Sequence, residues 1–285
     1  MKWIWWLGYG FFSLGCTNPI KSNQMEMKCN GYSQLCERTL DTVAFAATHN
    51  SMSSAEDEWV PPNHKYAIPT QLSDGVRGLN LDTYMWEGQA YLCHGFCELG
   101  AKPLVDTFIE IETFLQENPN NVIVITFQAS ISAEETMDTF VQAGLENRLY
   151  HHVVGEPWPT LKTLIQKEKQ VVAFGSNDGG NLDGYLAQWT HWVDSPYEAQ
   201  GIEDFACIPN RGDFQTATLY NVNHFISRPI ALESFAQEGN INPVLSDHVF
   251  SCWEETGIFP NQVLVDFYSI GDLFVVVDAL NGIGE

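Results

Sequence analysis

Short apolar runs alternate with amphipathic helical patterns from Leu40 to the end of the chain, and this alternation most constrains the fold. The predicted strands are Val43–Thr48, Gly78–Thr83, Val122–Gln128, His151–Val154, Gln170–Ser176, Thr190–Asp194, Leu219–Ile226 and Val263–Ser269. The predicted helices are Pro103–Glu117, Ala133–Gly144, Thr160–Lys167, Pro243–Thr256 and Asp272–Leu280. Continuous apolar strands are typical of parallel sheets covered on both faces. The pattern therefore predicts an α/β fold, a TIM-type (β/α)₈ barrel with room for distortion. A doubly wound open sheet is the alternative, but no glycine-rich dinucleotide loop follows an early strand.

The first residues have the pattern of an export signal. A basic start, Met1-Lys2, precedes an apolar run from Trp3 to Leu14 and then Gly15-Cys16. The run is shorter than the roughly 20 apolar residues that a membrane-spanning helix needs. Cys16 is placed like the lipidated cysteine of a bacterial lipoprotein, although Ser13 stands where such signals usually carry leucine.

The signal pattern and the polar residues after it divide the chain into three parts. Residues 1–16 are a predicted signal peptide or lipoprotein signal, residues 17–28 a polar tether, and residues 29–285 the barrel. We expect an exported protein, either extracellular or anchored to a membrane as a lipoprotein. No linker or internal repeat divides the barrel.

The charge balance narrows the classes of partner. The chain has 36 acidic and 13 basic residues, for a net charge of −23. Nucleic-acid binders normally carry the opposite sign, so nucleic acid is not an expected partner. An acidic surface is also repelled by anionic headgroups at long range, so action on such lipids requires a local basic or metal-assisted site.

The cysteines indicate disulfides. Of seven cysteines, Cys16 belongs to the signal, and the other six are an even number that suits an oxidising compartment. Six cysteines allow many pairings. Short spacing favours Cys29–Cys36 and Cys93–Cys97, which leaves Cys207–Cys252. The C-x-x-C spacing of structural zinc sites is absent from the sequence.

Polar residues follow several predicted strands, where barrel enzymes place their chemistry. The strand ends carry His49 with Asn50, Asp82, Gln128, Asn177, Asp194, Asn223 with His224, and Asp266, and His94 follows a short excursion after the second strand. Two histidines can supply the base and the acid that phosphodiester cleavage needs, because each titrates near neutral pH. His49 and His94 are therefore the predicted catalytic pair.

The stretches AATHNSM and TQLSDGVRGLNLDTYMWEGQAYLCHGFC resemble the X region of phosphatidylinositol-specific phospholipases C. Similarity continues through NPNNVIVITFQ, WPTLKTLIQKEKQVVAFGS, ACIPNRGDF and VLVDFYSIGDLFVVVDALNG, so that the resemblance covers the chain from about Cys29 to Gly282. It is greatest to the secreted, single-domain branch of plants and bacteria. The resemblance implies an incomplete TIM-type barrel and a reaction in which the inositol 2-hydroxyl attacks phosphorus. His49 would be the general base, and His94 the general acid that protonates the diacylglycerol oxygen. The substrate would be a phospholipid or another phosphodiester at a membrane surface.

The resemblance also implies a place for Ca²⁺, but with fewer carboxylates than calcium-dependent members carry. The corresponding positions are Asn50, Asn80 with Asp82, and Gln128, of which only Asp82 is charged. Loss of carboxylates weakens Ca²⁺ binding. We therefore expect either a weak calcium site formed by Asn50, Asp82 and Gln128 or a hydrogen-bonded polar network around the phosphate.

Two further residues are candidate substrate contacts. Arg211 stands in a predicted loop after the sixth strand and could contact a phosphate, and Asp266 could contact substrate or orient a histidine. Two other functions remain open from the sequence. One is a glycerophosphodiester or sphingomyelin phosphodiesterase, although its usual carboxylate cluster is missing. The other is a surface-anchored binding protein that has lost full activity, because a fold alone does not establish function.

Overall fold

The computed structural model describes residues 1–4, 26–176, 181–226 and 230–284. The strands within these ranges are β1 (Phe45–Thr48), β2 (Gly78–Trp86), β3 (Gln89–Cys93), β4 (Ala101–Pro103), β5 (Ile123–Ala129), β6 (Val171–Gly175), β7 (Asn181–Leu182), β8 (Tyr185–Ala187), β9 (Trp192–Asp194), β10 (Leu219–Asn223) and β11 (Pro260–Val265). The α-helices are α1 (Ile68–Asp74), α2 (Leu104–Glu117), α3 (Ala133–Gln142), α4 (Leu161–Gln166), α5 (Gln188–His191), α6 (Glu233–Gly239), α7 (Val244–Thr256) and α8 (Leu273–Leu280). Most of the predicted signal, including Cys16, and most of the tether lie outside the described residues.

Eight of these strands form a curled parallel sheet in the order β8-β6-β5-β2-β1-β11-β10-β9. Neighbours in this order are neighbours among the parallel strands along the chain, as in a TIM-type barrel. The first strand pairs with the last, but β8 and β9 stand at opposite ends of the path. The predicted α/β barrel is therefore confirmed, and it is open between its fifth and sixth parallel strands.

The pairing of β1 with β2 depends on a glycine. A Cβ on Gly78 would lie 2.6 Å from the Cβ of Ala47 and 2.9 Å from the Gln262 side chain. The absence of a side chain lets the start of β2 approach β1 at this point. Helix α2 buries one face, whose residues recur at the three- and four-residue spacing of an amphipathic helix: Leu104, Thr107, Phe108, Ile111 and Leu115.

The predicted strand at His151–Val154 is wrong. This stretch is irregular, and Val153 and Val154 are exposed. Two adjacent β-branched residues gave it the composition of a strand. The fifth parallel strand is instead β8, which has only three residues. The predicted strand at Thr190–Asp194 is shortened, because residues up to His191 belong to α5 and β9 begins at Trp192.

A hairpin absent from the prediction extends the second barrel strand. β2 runs on to Trp86, pairs antiparallel with β3, and β3 pairs in turn with β4. A disulfide between Cys93 and Cys97 closes the loop that joins β3 to β4. The structure also contains the disulfides Cys29–Cys36 and Cys207–Cys252. No helix in the described ranges is both long and apolar enough to span a bilayer.

Candidate active site

The carboxyl ends of the barrel strands surround a small cavity of about 50 Å³. Its walls are largely amide and hydroxyl side chains, together with His49 and Arg211: Asn80, Thr126, Gln128, Ser176, Gln188, Asn221 and Asn223. A larger cleft of about 550 Å³ opens where β1 begins, at Ala44 and Phe45, and none of the predicted site residues lines it. Of the residues predicted at the strand ends, His49, Gln128 and Asn223 line the small cavity, at the end of the barrel where such folds place their chemistry.

His49 forms a pair with Asp266 at the closure of the barrel. The two residues follow β1 and β11, and His49 Nδ1 lies 3.0 Å from Asp266 Oδ1. The ring of Phe225 stacks on the imidazole at 3.8 Å, nearly parallel. An ionised carboxylate accepts a hydrogen bond from Nδ1–H, so that Nε2 of a neutral His49 is left as a proton acceptor. Of the two roles predicted for Asp266, substrate contact and orientation of a histidine, this geometry favours the second.

Asn50 connects this pair to His94. The backbone of Asn50 is in the left-handed region at φ +48°, which asparagine tolerates better than most residues. Its Nδ2 donates at 3.1 Å to Nε2 of His94, which lies in the loop closed by the Cys93–Cys97 disulfide. Desolvation by surrounding protein lowers the pKa of His94, and the positive charge on a protonated His49 lowers it further.

Asp82 is a buried carboxyl group on the inner face of β2. It is directly opposite Gln128 in the register between β2 and β5. Burial raises the pKa of Asp82 to about 7, and a positive charge on His49 acts in the opposite direction. Asn80 lies on the same face of the strand, and its Nδ2 donates to Thr126 Oγ1 at 3.3 Å. Asp82 is thus an ionisable group beside the neutral amides of Asn80 and Gln128.

Arg211 is held at the opposite wall by Asp194. Its Nε donates to Asp194 Oδ2 at 3.0 Å, and its backbone N–H donates to Asp194 Oδ1 at 2.8 Å. The rings of Trp189 and Tyr197 each lie 4.5 Å from the guanidinium. The Arg211 side chain is 38% exposed, so a charged group fixed on three sides faces the cavity.

The sequence matches the PI-PLC X family model over residues 35–281. The chain belongs to this family. A PI-PLC X domain-containing protein of Arabidopsis thaliana is 28% identical over 264 residues, which are 82% of this chain and 61% of the relative. A PI-PLC X domain-containing protein 1 of Arthroderma benhamiae is 24% identical over 303 residues, covering 98% of this chain and 97% of the relative. The same fungus has an uncharacterized secreted protein that is 25% identical over 287 residues, or 90% of this chain and 64% of that protein. The chain thus spans less than two thirds of the Arabidopsis relative and of the secreted fungal relative.

The fold agrees with the family. A double mutant of the phosphatidylinositol-specific phospholipase C from S. aureus superposes with a TM-score of 0.58 at 15% identity, covering 89% of this chain and 96% of that chain. At this identity the likeness concerns the fold alone. The barrel of the PI-PLC X family is therefore common to both proteins.

Several predicted strand-end residues lie away from the pair of histidines. Asn177 is outside the described residues. His224 is buried, and its Nδ1 lies 2.8 Å from His248 Nδ1 beneath Phe205. Burial lowers the pKa of His224 to about 3 and that of His248 to about 4, so both rings are neutral near pH 7. Asn223 donates to Asp194 Oδ2 at 3.2 Å and so supports the Arg211 wall.

The sequence analysis did not identify two residues that contact the His49–Asp266 pair directly. Phe225 stacks on His49, and Asn63 Nδ2 donates to Asp266 Oδ1 at 2.9 Å. Asn63 comes from the irregular segment between β1 and α1, where no strand or helix period points to one face. The sequence Pro61-Pro62-Asn63-His64 marks a turn, and turn signals do not report which side chain faces a site.

Replacement of Asp82 with Asn should stabilise the fold at alkaline pH. Because the folded-state pKa of Asp82 lies above its usual value, its ionised form opposes folding, and wild-type stability falls as pH rises from about 4 through about 7. We expect Asp82→Asn to raise the free energy of unfolding at pH 8 by about 2–4 kcal/mol. The gain should vanish near pH 4, where the wild-type group is neutral.

Urea denaturation at pH 4 and pH 8, with a chelator present, measures this difference. Asp138→Asn is the matched control, because Asp138 is exposed on α3. An equal gain in both variants at pH 8, or an Asp82→Asn gain that does not depend on pH, would contradict the assignment.

Proposed function

We propose that this chain is a phosphodiesterase that cleaves phosphatidylinositol-type lipids with His49 as base and His94 as acid. The observation that carries the proposal is the connected set Asp266–His49 and Asn50–His94 at the mouth of a PI-PLC X barrel. A carboxylate that orients one imidazole, with a second imidazole nearby, is a typical arrangement for moving protons during displacement at phosphorus.

The first step forms one bond to phosphorus and breaks another. A hydroxyl of the headgroup attacks phosphorus while its proton passes to His49 Nε2, the nitrogen left free by Asp266. The bond from phosphorus to the lipid oxygen breaks, and His94 supplies the proton that this oxygen needs. The products are diacylglycerol and a cyclic phosphodiester. Water can then open the cyclic product with the roles of the histidines reversed.

The lowered pKa of His94 makes its acid role dependent on substrate. The free imidazole is mainly neutral near pH 7 because of desolvation and its proximity to His49. An anionic phosphodiester in the cavity favours the protonated ring, since opposite charges raise the pKa of a cation. Substrate binding therefore prepares the acid.

Arg211 is the proposed contact for an anionic or hydroxyl-rich part of the substrate. Asp194 and the rings of Trp189 and Tyr197 hold its guanidinium toward the cavity. The neutral amides around it can exchange hydrogen bonds with a polyol headgroup. This combination supports a headgroup that carries hydroxyl groups and a single phosphodiester charge.

We further propose a weak Ca²⁺ site formed by Asp82 with the side-chain oxygens of Asn50 and Gln128. Its fit rests on the buried Asp82 carboxyl group, whose raised pKa reflects burial without a compensating donor among the described residues. A single carboxylate predicts low affinity, because Ca²⁺ prefers several charged oxygen ligands. The ion would offset the negative charge of the phosphate.

A membrane surface is the proposed location of the reaction. Val60, Phe96 and Leu99, here called the rim patch, are 62%, 72% and 49% exposed. The Val60 N–H donates to Leu99 O at 2.9 Å, and the Cys93–Cys97 disulfide closes the loop that carries both Phe96 and His94. Acidic residues flank the patch at Glu56–Glu58 and Glu98. We therefore propose that it enters the interface of a bilayer rich in zwitterionic lipid.

Export is proposed on two grounds. The described residues contain three disulfides, which persist in oxidising compartments, and one relative is named a secreted protein. The protein would act outside the cell or as a membrane-anchored lipoprotein. Lipidation of Cys16 stays a prediction from the sequence.

Removal of either histidine should abolish most of the activity. We expect His49→Ala and His94→Ala each to lower the release of water-soluble inositol phosphate from phosphatidylinositol vesicles by roughly 10²–10⁴-fold, the usual contribution of general acid–base catalysis. His151→Ala is the control, because this exposed residue pairs with Asp183 away from the cavity. Release that survives in both site variants would exclude the paired-histidine mechanism. No release from the wild-type protein or the His151→Ala control would exclude the inositol-lipid substrate. Parallel assays with Ca²⁺ and with chelator test the proposed calcium site.

Loss of the apolar ring at the rim should weaken activity on vesicles without affecting chemistry. We expect Phe96→Ser to lower the rate on phosphatidylcholine vesicles that contain phosphatidylinositol by about 10–10²-fold, since burial of a large apolar side chain contributes about 1.5–3 kcal/mol. Rates on a monomeric short-chain substrate should stay unchanged. Val154→Ser is a matched control, because Val154 is 68% exposed but precedes α4 at the other end of the barrel. An equal loss on both substrates would contradict an interfacial role.

A further inference from the structure

Two adjacent residues, Asn63 and His64, contact both members of the His49–Asp266 pair. Asn63 Nδ2 donates to Asp266 Oδ1 at 2.9 Å, the oxygen that also lies 3.0 Å from His49 Nδ1. His64 Nε2 lies 2.6 Å from the backbone oxygen of His49. One dipeptide thus holds the carboxylate by one side chain and the backbone of the histidine by the next.

The dipeptide is itself held by backbone hydrogen bonds. The N–H groups of Asn63 and His64 both donate to Ser53 O, each at 2.9 Å. The oxygen of Asn63 accepts from the N–H of Phe267 at 2.8 Å. Phe267 follows Asp266 directly and is in the left-handed region at φ +46°, which is costly for a residue with a Cβ. The bond to Asn63 therefore also supports the backbone next to the carboxylate.

The chemistry of the contacts sets which atoms carry protons. A backbone oxygen can only accept, so His64 carries its proton on Nε2. The other ring nitrogen, Nδ1, is buried and has no hydrogen-bond partner within the described residues, as suits a neutral ring. Because Asn63 occupies a second lone pair of Asp266 Oδ1, the carboxylate cannot rotate without losing two hydrogen bonds at once.

We propose that Asn63 and His64 are positioning residues that fix the orientation of Asp266 and His49 for proton transfer. The effect of these residues on catalysis rests on the proposed function, whereas their effect on the orientation of Asp266 and His49 does not. Neither side chain needs to touch substrate: Asn63 is 1% exposed and His64 is fully buried. A small displacement of a reacting group by a distant change can cost about 10²-fold in rate.

The test separates positioning from general stability. We expect Asn63→Leu and His64→Leu to lower kcat on phosphatidylinositol by about 10²-fold with KM within about twofold. His64→Gln should restore most of kcat, because its amide can donate to the oxygen of His49. Asn261→Leu is the matched control: Asn261 is an equally buried asparagine that donates to Leu40 O and Val43 O at the far end of the barrel.

A second readout needs no substrate. The proton between His49 Nδ1 and Asp266 should give a low-field NMR resonance that is lost in His49→Ala. We expect this resonance to move or disappear in Asn63→Leu and His64→Leu, and to stay in place in His64→Gln and Asn261→Leu. An unmoved resonance with wild-type kcat in Asn63→Leu would overturn the proposal. A moved resonance in a protein that lacks phosphodiesterase activity would support positioning and reject the proposed function.

Discussion

The contact between His49 and Asp266 is the interaction on which the rest of the site depends. The two residues are 217 positions apart and meet because β1 pairs in parallel with β11, with Thr48 opposite Val265. Residues that follow paired parallel strands emerge side by side, so closure of the barrel creates the pair. Phe225 then stacks on one member and Asn63 bonds to the other. The opening between β8 and β9 is far along the sheet path from this closure and leaves it intact.

The site works with few formal charges. Arg211 is compensated by Asp194, and Asp82 lies opposite the neutral amide of Gln128 in the pairing of β2 with β5. The cavity is therefore polar but nearly neutral, in contrast to the overall charge of −23. Burial of Asp82 without a compensating donor is a cost to stability that a catalytic or ion-binding role would explain.

The sequence predicts most of the barrel and the two histidines, but not the supports around them. Apolar runs identify buried strands, and the residues after them are placed by the rule that strand ends converge. The assignment of strands from apolar runs failed at residues 151–154, because two exposed valines there have the composition of a strand. It also missed β8, which is too short to show a period. Asn63 escaped prediction because its role depends on a contact with Asp266, 203 residues away. His64 escaped because its partner is the backbone oxygen of His49, a contact that no residue pattern encodes.

The most direct test of the account is the order in which products form from phosphatidylinositol. Phosphorus NMR of the purified protein with substrate distinguishes a cyclic inositol phosphate from its hydrolysed product. The account predicts that the cyclic diester appears first and is converted later, with both steps absent in His49→Ala. Direct formation of the acyclic phosphate, with no cyclic intermediate at any time, would contradict attack by a substrate hydroxyl deprotonated by His49.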